Sequence, residues 1–180
     1  MKFVKVALSL STDMIKQNNR TNMNNSNQKS IKRLSIAILA IGGLTVVYSY
    51  FQLISQLWLD NFFFPINWNP TIKGWQIFLI VARLVCNTLL FALCCVFLYR
   101  INKGLKAGEI FPKSNIPIIR WAALVAALLA FVHSNYGTVL KGESEFLLDS
   151  NVILVPLIVL LFAGLYKMAY LAAKDSKLAI

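Results

Sequence analysis

Acidic residues and histidine are scarce in this chain of 180 residues, which has seven Asp and Glu residues and one His. Acid–base catalysis and metal coordination both depend largely on carboxylates, imidazoles and thiols, so the inventory for either is thin. The sequence also shows no Ser-His-Asp set, no paired carboxylates within an apolar run and no phosphate-binding glycine loop. We therefore predict no catalytic residue, no metal, no cofactor and no enzymatic activity.

Cysteine is equally sparse, and its spacing excludes the common thiol sites. The three cysteines lie in one apolar run and form no C-x-x-C pair, at Cys86, Cys94 and Cys95. A thiol-redox centre needs a thiolate close to water, and a zinc site needs four ligands. The pattern favours reduced, apolar thiols.

Hydrophobic and basic residues are abundant. Hydrophobic residues make up 58% of the chain, and 18 Lys and Arg residues give a formal net charge of +11. A nucleic-acid-binding protein would cluster such cations on one face with aromatic residues between them. Here the cations lie at the ends of long apolar runs, which is typical of membrane proteins. We predict that the chain lies in a lipid bilayer and does not bind nucleic acid directly.

Four apolar runs predict four transmembrane helices, at about 34–58, 74–98, 116–136 and 152–173. Each has the roughly 20 residues that a helix needs to cross the hydrocarbon layer. A soluble bundle would need a charged outer face, yet no charge lies between Arg33 and Asp60. The predicted fold class is all-α, an integral membrane bundle of four helices.

The first 30 residues differ from the rest, and we predict two regions, 1–30 and 31–180. The N-terminal arm is basic and Asn-rich, and segment 17–30 is predicted to be disordered. Apolar residues at helical spacing predict a short amphipathic helix at 2–16. Alternatively, translation starts at Met14 or Met23, which leaves the first residues unused.

The distribution of cations predicts the orientation. Seven basic residues precede the first run, four lie between the second and third, and three lie near the C-terminus, whereas the other two loops hold only Lys73 and Lys141. Cytoplasmic segments carry the excess of Lys and Arg. Both termini are therefore predicted to be cytoplasmic.

Arg83 lies nine residues into the second run, where an arginine costs roughly 2.5–3.5 kcal/mol. Asn87 follows one turn later, and the first run carries its own polar stripe at helical spacing, formed by Thr45, Ser49, Gln52 and Gln56. We predict that the two stripes face one another. Three interpretations are open: a hydrogen-bonded network that fixes the helices, a pocket for a polar or anionic ligand, and a contact with a partner protein.

The loop between the second and third runs, residues 102–115, is called the elbow below. Gly108 is suited to end a helix, Phe111 to lie in the membrane interface, and either Ser114 or Asn115 to cap the next helix. These signals predict an ordered turn. We expect a protein partner to bind there. The alternative is that the basic cytoplasmic face only fixes the topology and contacts anionic lipid.

The elbow also carries a resemblance to a known family. The motifs are a basic helix end, Leu105-x-x-Gly108-x-Ile110-Phe111-x-x-x-Asn115, Arg120, and a tail of the form Asp175-Ser-Lys-Leu178-Ala-Ile180. Over residues 34–180 the chain resembles the bacterial membrane-protein family called domain of unknown function 2975. The resemblance implies four spans, no established activity and a small helix-turn-helix regulator as partner. The long Asn-rich arm departs from that family's short N-terminus.

These observations lead to two functional hypotheses. The first is a non-enzymatic protein of the bacterial inner membrane that acts as an interaction or regulatory subunit. The alternative is a small transporter or ligand-binding protein with a polar pocket around Arg83. For the alternative we expect an oligomer, because four spans alone form no path.

Overall fold

A computed structural model describes the backbone of residues 2–58, 66–107, 109 and 111–178, and the side chains within 28–56, 66–107, 109 and 111–176. These residues form four helices and no strand. The helices are α1 (Lys2–Trp58), α2 (Lys73–Lys106), α3 (Asn115–Leu140) and α4 (Asn151–Leu178). The prediction of an all-helical fold is confirmed for this part of the chain.

Each helix contains a segment that is long and apolar enough to cross a membrane. The segments are Gln28–Gln56, Lys73–Lys106, Asn115–Leu140 and Asn151–Ser176. The shortest have 26 residues, and 26 residues of helix rise about 39 Å, more than the roughly 30 Å of hydrocarbon. Four apolar helices able to span a membrane were predicted, and the structure confirms them.

The outer surface of these helices is apolar. On α4 the side chains of Leu157, Leu161 and Phe162 are more than half exposed. Only Ala163 is buried among the described side chains of that helix. A helix that is apolar all round belongs in an apolar medium. The fold is that of a multi-pass membrane protein.

The chain divides into two units, residues 1–38 and 39–180. The structure assigns helix to 17–30, for which the sequence predicted disorder. Extending a helix that already exists avoids the unfavourable nucleation step. The polar residues 17–30 can therefore be helical because they directly precede the apolar part of the same helix. The side chains of the predicted amphipathic helix at 2–16 lie outside the described residues. The division into an arm and a membrane domain stays a prediction.

Helix α3 packs against both α2 and α4. Leu79, Val132 and Val139 form a buried core between α2 and α3, with Phe131 beside it. In the second unit α1 approaches α2 closely at Gly42. A Cβ atom there would lie 2.9 Å from Cδ2 of Phe91, so glycine lets the aromatic ring pack against the backbone of α1.

The start of α4 is held by a short polar turn. The amide of Asn151 and the hydroxyl of Ser150 donate hydrogen bonds of 2.6 and 3.1 Å to the carboxylate of Asp149. These bonds, the one from Asn151 above all, lower the pKa of Asp149. A carboxylate at this position also interacts favourably with the N-terminus of the helix.

Candidate functional site

The guanidinium group of Arg83 lies over an aromatic ring within the membrane domain. Its Cζ atom is 4.2 Å from the centre of the Tyr136 ring, so α2 and α3 are joined by a cation–π contact. Arg83 is half-buried. The described part of the chain gives it no carboxylate partner. The Tyr136 ring therefore offsets part of the free-energy cost of placing this charge in an apolar region.

Tyr136 also connects α3 to α1. Its hydroxyl lies 2.9 Å from Oε1 and 2.7 Å from Nε2 of Gln56. A buried tyrosine commonly finds a partner for its hydroxyl while its ring packs against apolar or cationic groups. Tyr136 thus binds α1 at its hydroxyl and α2 at its ring.

The two polar stripes meet at Ser49. Its hydroxyl accepts a 3.0 Å hydrogen bond from Nδ2 of Asn87 and donates one of 2.9 Å to the carbonyl of Thr45. The hydroxyl of Thr45 donates to the carbonyl of Ile41 in its own helix, so Thr45 makes no side-chain bond to α2. Direct polar contact between α1 and α2 along these stripes is carried by Ser49 and Asn87.

We call the six residues Ser49, Gln52, Gln56, Arg83, Asn87 and Tyr136 the Arg83 cluster. A cavity of about 10 Å³ lies among five of them, which is room for about one water molecule. Gln52 is one of these five residues. It is buried, and its Oε1 atom has no protein partner in the described part of the chain. The geometry describes a closed polar contact between three helices, without space for a substrate.

The geometry of the Arg83 cluster predicts that Arg83 and Tyr136 contribute to stability in a coupled, non-additive way. We expect Arg83→Leu to fold and insert at least as well as the native chain, because a central arginine costs roughly 2.5–3.5 kcal/mol. Tyr136→Leu should destabilise the protein, since it uncovers the charge and frees Gln56. The free energy of unfolding in detergent is measured for the native chain, the two single variants and the double variant. These four values should give a coupling free energy of about 1–2 kcal/mol between Arg83 and Tyr136. A coupling near zero would contradict the cation–π contact.

The elbow is closed by a glycine that tolerates no side chain. A Cβ atom on Gly104 would lie 2.6 Å from the carbonyl oxygen of Glu109 and 2.7 Å from Cγ of Pro112. The backbone N–H of Glu109 donates a 2.8 Å bond to the Gly104 carbonyl. Nη1 of Arg100 donates a 2.6 Å bond to the carbonyl of Ser114. These contacts tie the elbow to the end of α2.

Asn115 and Phe111 hold the elbow from within. Asn115 is fully buried, and its Nδ2 atom lies 3.4 Å from the carbonyl of Phe97 and 3.3 Å from the hydroxyl of Tyr166. The ring of Phe111 meets that of Tyr166 edge-on at 5.5 Å. Asn115 and Phe111, selected from the sequence as elbow residues, therefore connect the elbow to α2 and α4. The predicted helix cap is wrong, because α3 begins at Asn115, and Ser114, at the N-cap position, makes no capping hydrogen bond through its side chain. Gly108, the third, lies outside the described residues.

Two further buried amides were missed by the sequence analysis. Gln76 donates to the carbonyls of Asn67 and Val139 and accepts from the N–H of Asn69. Asn135 pairs with both backbone groups of Leu147. Both side chains are fully buried. The sequence signal was an amide in an apolar run, but their partners lie on another helix, at Val139 of α3, and in loops, and the positions of both depend on the fold.

Two cavities flank the elbow. The apolar cavity, about 680 Å³, is lined almost entirely by apolar side chains of α2, α3 and α4, with Phe111 from the elbow. The basic cavity, about 350 Å³, is lined by Arg100 and Lys103 of α2 and by Glu109 and Ser114 of the elbow. Cys94 lines the apolar cavity as a free thiol.

Within the described residues, no group of three His, Cys, Asp or Glu side chains is placed to hold a metal ion. Comparison with known protein families, curated proteins and solved structures finds no match to this chain. Any functional conclusion therefore depends on the geometry of the chain itself.

Proposed function

We propose that the chain is a non-enzymatic protein of the bacterial inner membrane that acts as an interaction or regulatory subunit, with both termini in the cytoplasm. The orientation is supported by the sequence count, since 14 of the 18 basic residues lie before the first apolar run, between the second and third runs, or near the C-terminus. The proposed location is supported by four helices long and apolar enough to span a membrane, and by the family resemblance, which implies a bacterial membrane.

The construction of the elbow is the observation that carries this proposal. Buried Gly104 and Asn115, together with half-buried Phe111, fix its backbone against α2 and α4. Lys106 and Lys113 are left exposed, and neither forms an ion pair in the described part of the chain. A rigid loop that presents cations loses little entropy on binding and favours a partner with an acidic surface. The family resemblance makes a small helix-turn-helix regulator the expected partner.

The same geometry argues against the alternative of a ligand pocket at Arg83. A cavity of about 10 Å³ is far smaller than the roughly 300–1,000 Å³ of small-molecule sites. The Arg83 cluster is better suited to fixing the arrangement of α1, α2 and α3. We assign it a structural role in this proposal.

The test is co-purification of the tagged chain from its native membrane, with charge reversal at the elbow. Lys106→Glu together with Lys113→Glu should remove a stoichiometric partner, because like charges then oppose its acidic surface. The control is Lys73→Glu together with Lys141→Glu, which makes the same charge change at the other end of the helices and should retain the partner.

Two results would contradict the proposal. One is a partner that the elbow variant retains as well as the native chain does, which would place the contact elsewhere. The other is a native chain that carries no stoichiometric protein. Variants of Phe111 and Asn115 are unsuitable for this test, since both residues also hold the elbow together.

A further inference from the structure

The apolar cavity has the size of a ligand site and the lining of a hydrocarbon site. Its volume of about 680 Å³ falls within the roughly 300–1,000 Å³ of small-molecule pockets. The only polar atoms on its lining side chains are the thiol of Cys94 and the hydroxyl of Tyr166. Water gains few hydrogen bonds from such walls. In a bilayer, the medium beside this cavity consists of lipid acyl chains.

One face of α2 passes from the apolar cavity to the basic cavity. Leu90, Leu93 and Phe97 line the first, and Arg100 and Gly104 line the second. Successive members are three or four residues apart and therefore lie on one helical stripe. The elbow repeats this order, since Phe111 lines the apolar cavity and Ser114 the basic one. An amphipathic ligand would meet apolar walls first and cations next.

We propose that this face binds an anionic phospholipid, with an acyl chain in the apolar cavity and the phosphate beside Arg100 and Lys103. The charge order along α2 carries the proposal, because it places cations where a chain in the cavity would end in a headgroup. A transmembrane helix fits less well, because its apolar side chains would bring no anionic group to Arg100 and Lys103.

The charges of the basic cavity set the expected selectivity. Arg100 and Lys103 contribute two positive charges and Glu109 one negative charge, which leaves a net charge of +1. One net cation near the headgroup gives about a fivefold preference for an anionic over a zwitterionic lipid, at about 1 kcal/mol per cation. Phosphatidylglycerol and phosphatidylcholine with the same acyl chains are the matched probes.

Native mass spectrometry of the purified chain with equimolar phosphatidylglycerol and phosphatidylcholine measures this preference directly. We expect the native chain to retain the anionic lipid about fivefold more often. Glu109→Gln should raise the ratio to about thirtyfold, because the net charge becomes +2. Lys103→Gln should bring it close to one. All of these side chains other than Arg100 are exposed, so the substitutions spare the core.

A second pair of variants tests the position of the acyl chain. Ala122 lines the apolar cavity, whereas Ala92 is exposed on α2 away from it. Ala122→Phe fills the cavity and should abolish lipid retention, and Ala92→Phe should not. Ala169→Phe fills the same cavity from α4 and serves if the α3 variant fails to fold.

The proposal is overturned if the native chain retains the two lipids equally. It is also overturned if the ratio of anionic to zwitterionic lipid does not fall in Lys103→Gln and rise in Glu109→Gln. It is also overturned if the cavity-filling variants keep the anionic lipid as Ala92→Phe does. Because the purified chain alone is used, failure here is independent of whether a protein binds the elbow.

Discussion

Replacing Gln76 with leucine is expected to lower the free energy of unfolding by about 3 kcal/mol, the largest loss among the substitutions considered for this protein. Gln76 is fully buried and makes three hydrogen bonds, to the carbonyls of Asn67 and Val139 and from the N–H of Asn69. Leucine has a similar volume but leaves these three backbone groups without a side-chain partner. Unfolding of the purified chain in mixed detergent micelles, followed by circular dichroism, measures the loss.

Gln52 provides the matched control. It is also a buried glutamine in an apolar run, but its Oε1 atom has no protein partner in the described part of the chain. Gln52→Leu removes a buried carbonyl that has no protein partner and is expected to change stability by less than about 0.5 kcal/mol, or to stabilise. Equal losses at both positions would show that burial, and not the hydrogen bonds of Gln76, determines the effect.

Replacing Asn135 with leucine should release the loop between α3 and α4, at a cost of about 2–3 kcal/mol. Asn135 accepts a 2.8 Å bond from the N–H of Leu147 and donates one of 3.0 Å to its carbonyl. Both bonds join a buried side chain to the backbone of a loop. Without these two bonds, the backbone N–H and carbonyl of Leu147 lose their protein partner and the loop becomes more accessible to water. Hydrogen exchange at residues 143–149 should therefore become much faster.

Ser134 is the control for this prediction. It lies next to Asn135 on α3, and its hydroxyl donates only to the carbonyl of Ala130 within the same helix. Ser134→Ala should leave the exchange of the loop unchanged. If Asn135→Leu also left it unchanged, the loop would be held by other contacts, such as the packing of Phe146 on Trp75 at 5.1 Å.

Much of the Arg83 cluster was accessible from the sequence. The sequence indicates Arg83 as a candidate site residue, because a charge within an apolar run has a high free-energy cost in a membrane. Asn87 and Ser49 followed from helical spacing and from equal depth in two antiparallel spans, and the structure joins them by a 3.0 Å bond. Tyr136 was not predicted as a partner. Its position against Arg83 depends on how α3 lies beside α2, and no spacing within one helix contains that information.

The elbow shows the same division between local and long-range information. Its glycine and asparagine predicted an ordered turn between two helices, since these residue types act on the backbone next to them. The partners of Asn115 and Phe111 are on α2 and α4, and Tyr166 is 51 residues away from Asn115 in sequence. Only the folded chain shows that these two residues support the elbow from inside.

The sequence by itself determined the number of apolar helices and their apolar character, because each depends on an uninterrupted run of residues in one segment. It did not determine their full length, since α1 begins at Lys2 and α2 continues to Lys106. Tertiary structure alone decided which polar residues meet, which amides are fully buried, and where space remains between helices. Packing angles and axial shifts of whole helices control these features. The apolar and basic cavities exist because α2, the elbow and α4 are held around α3 in one particular arrangement.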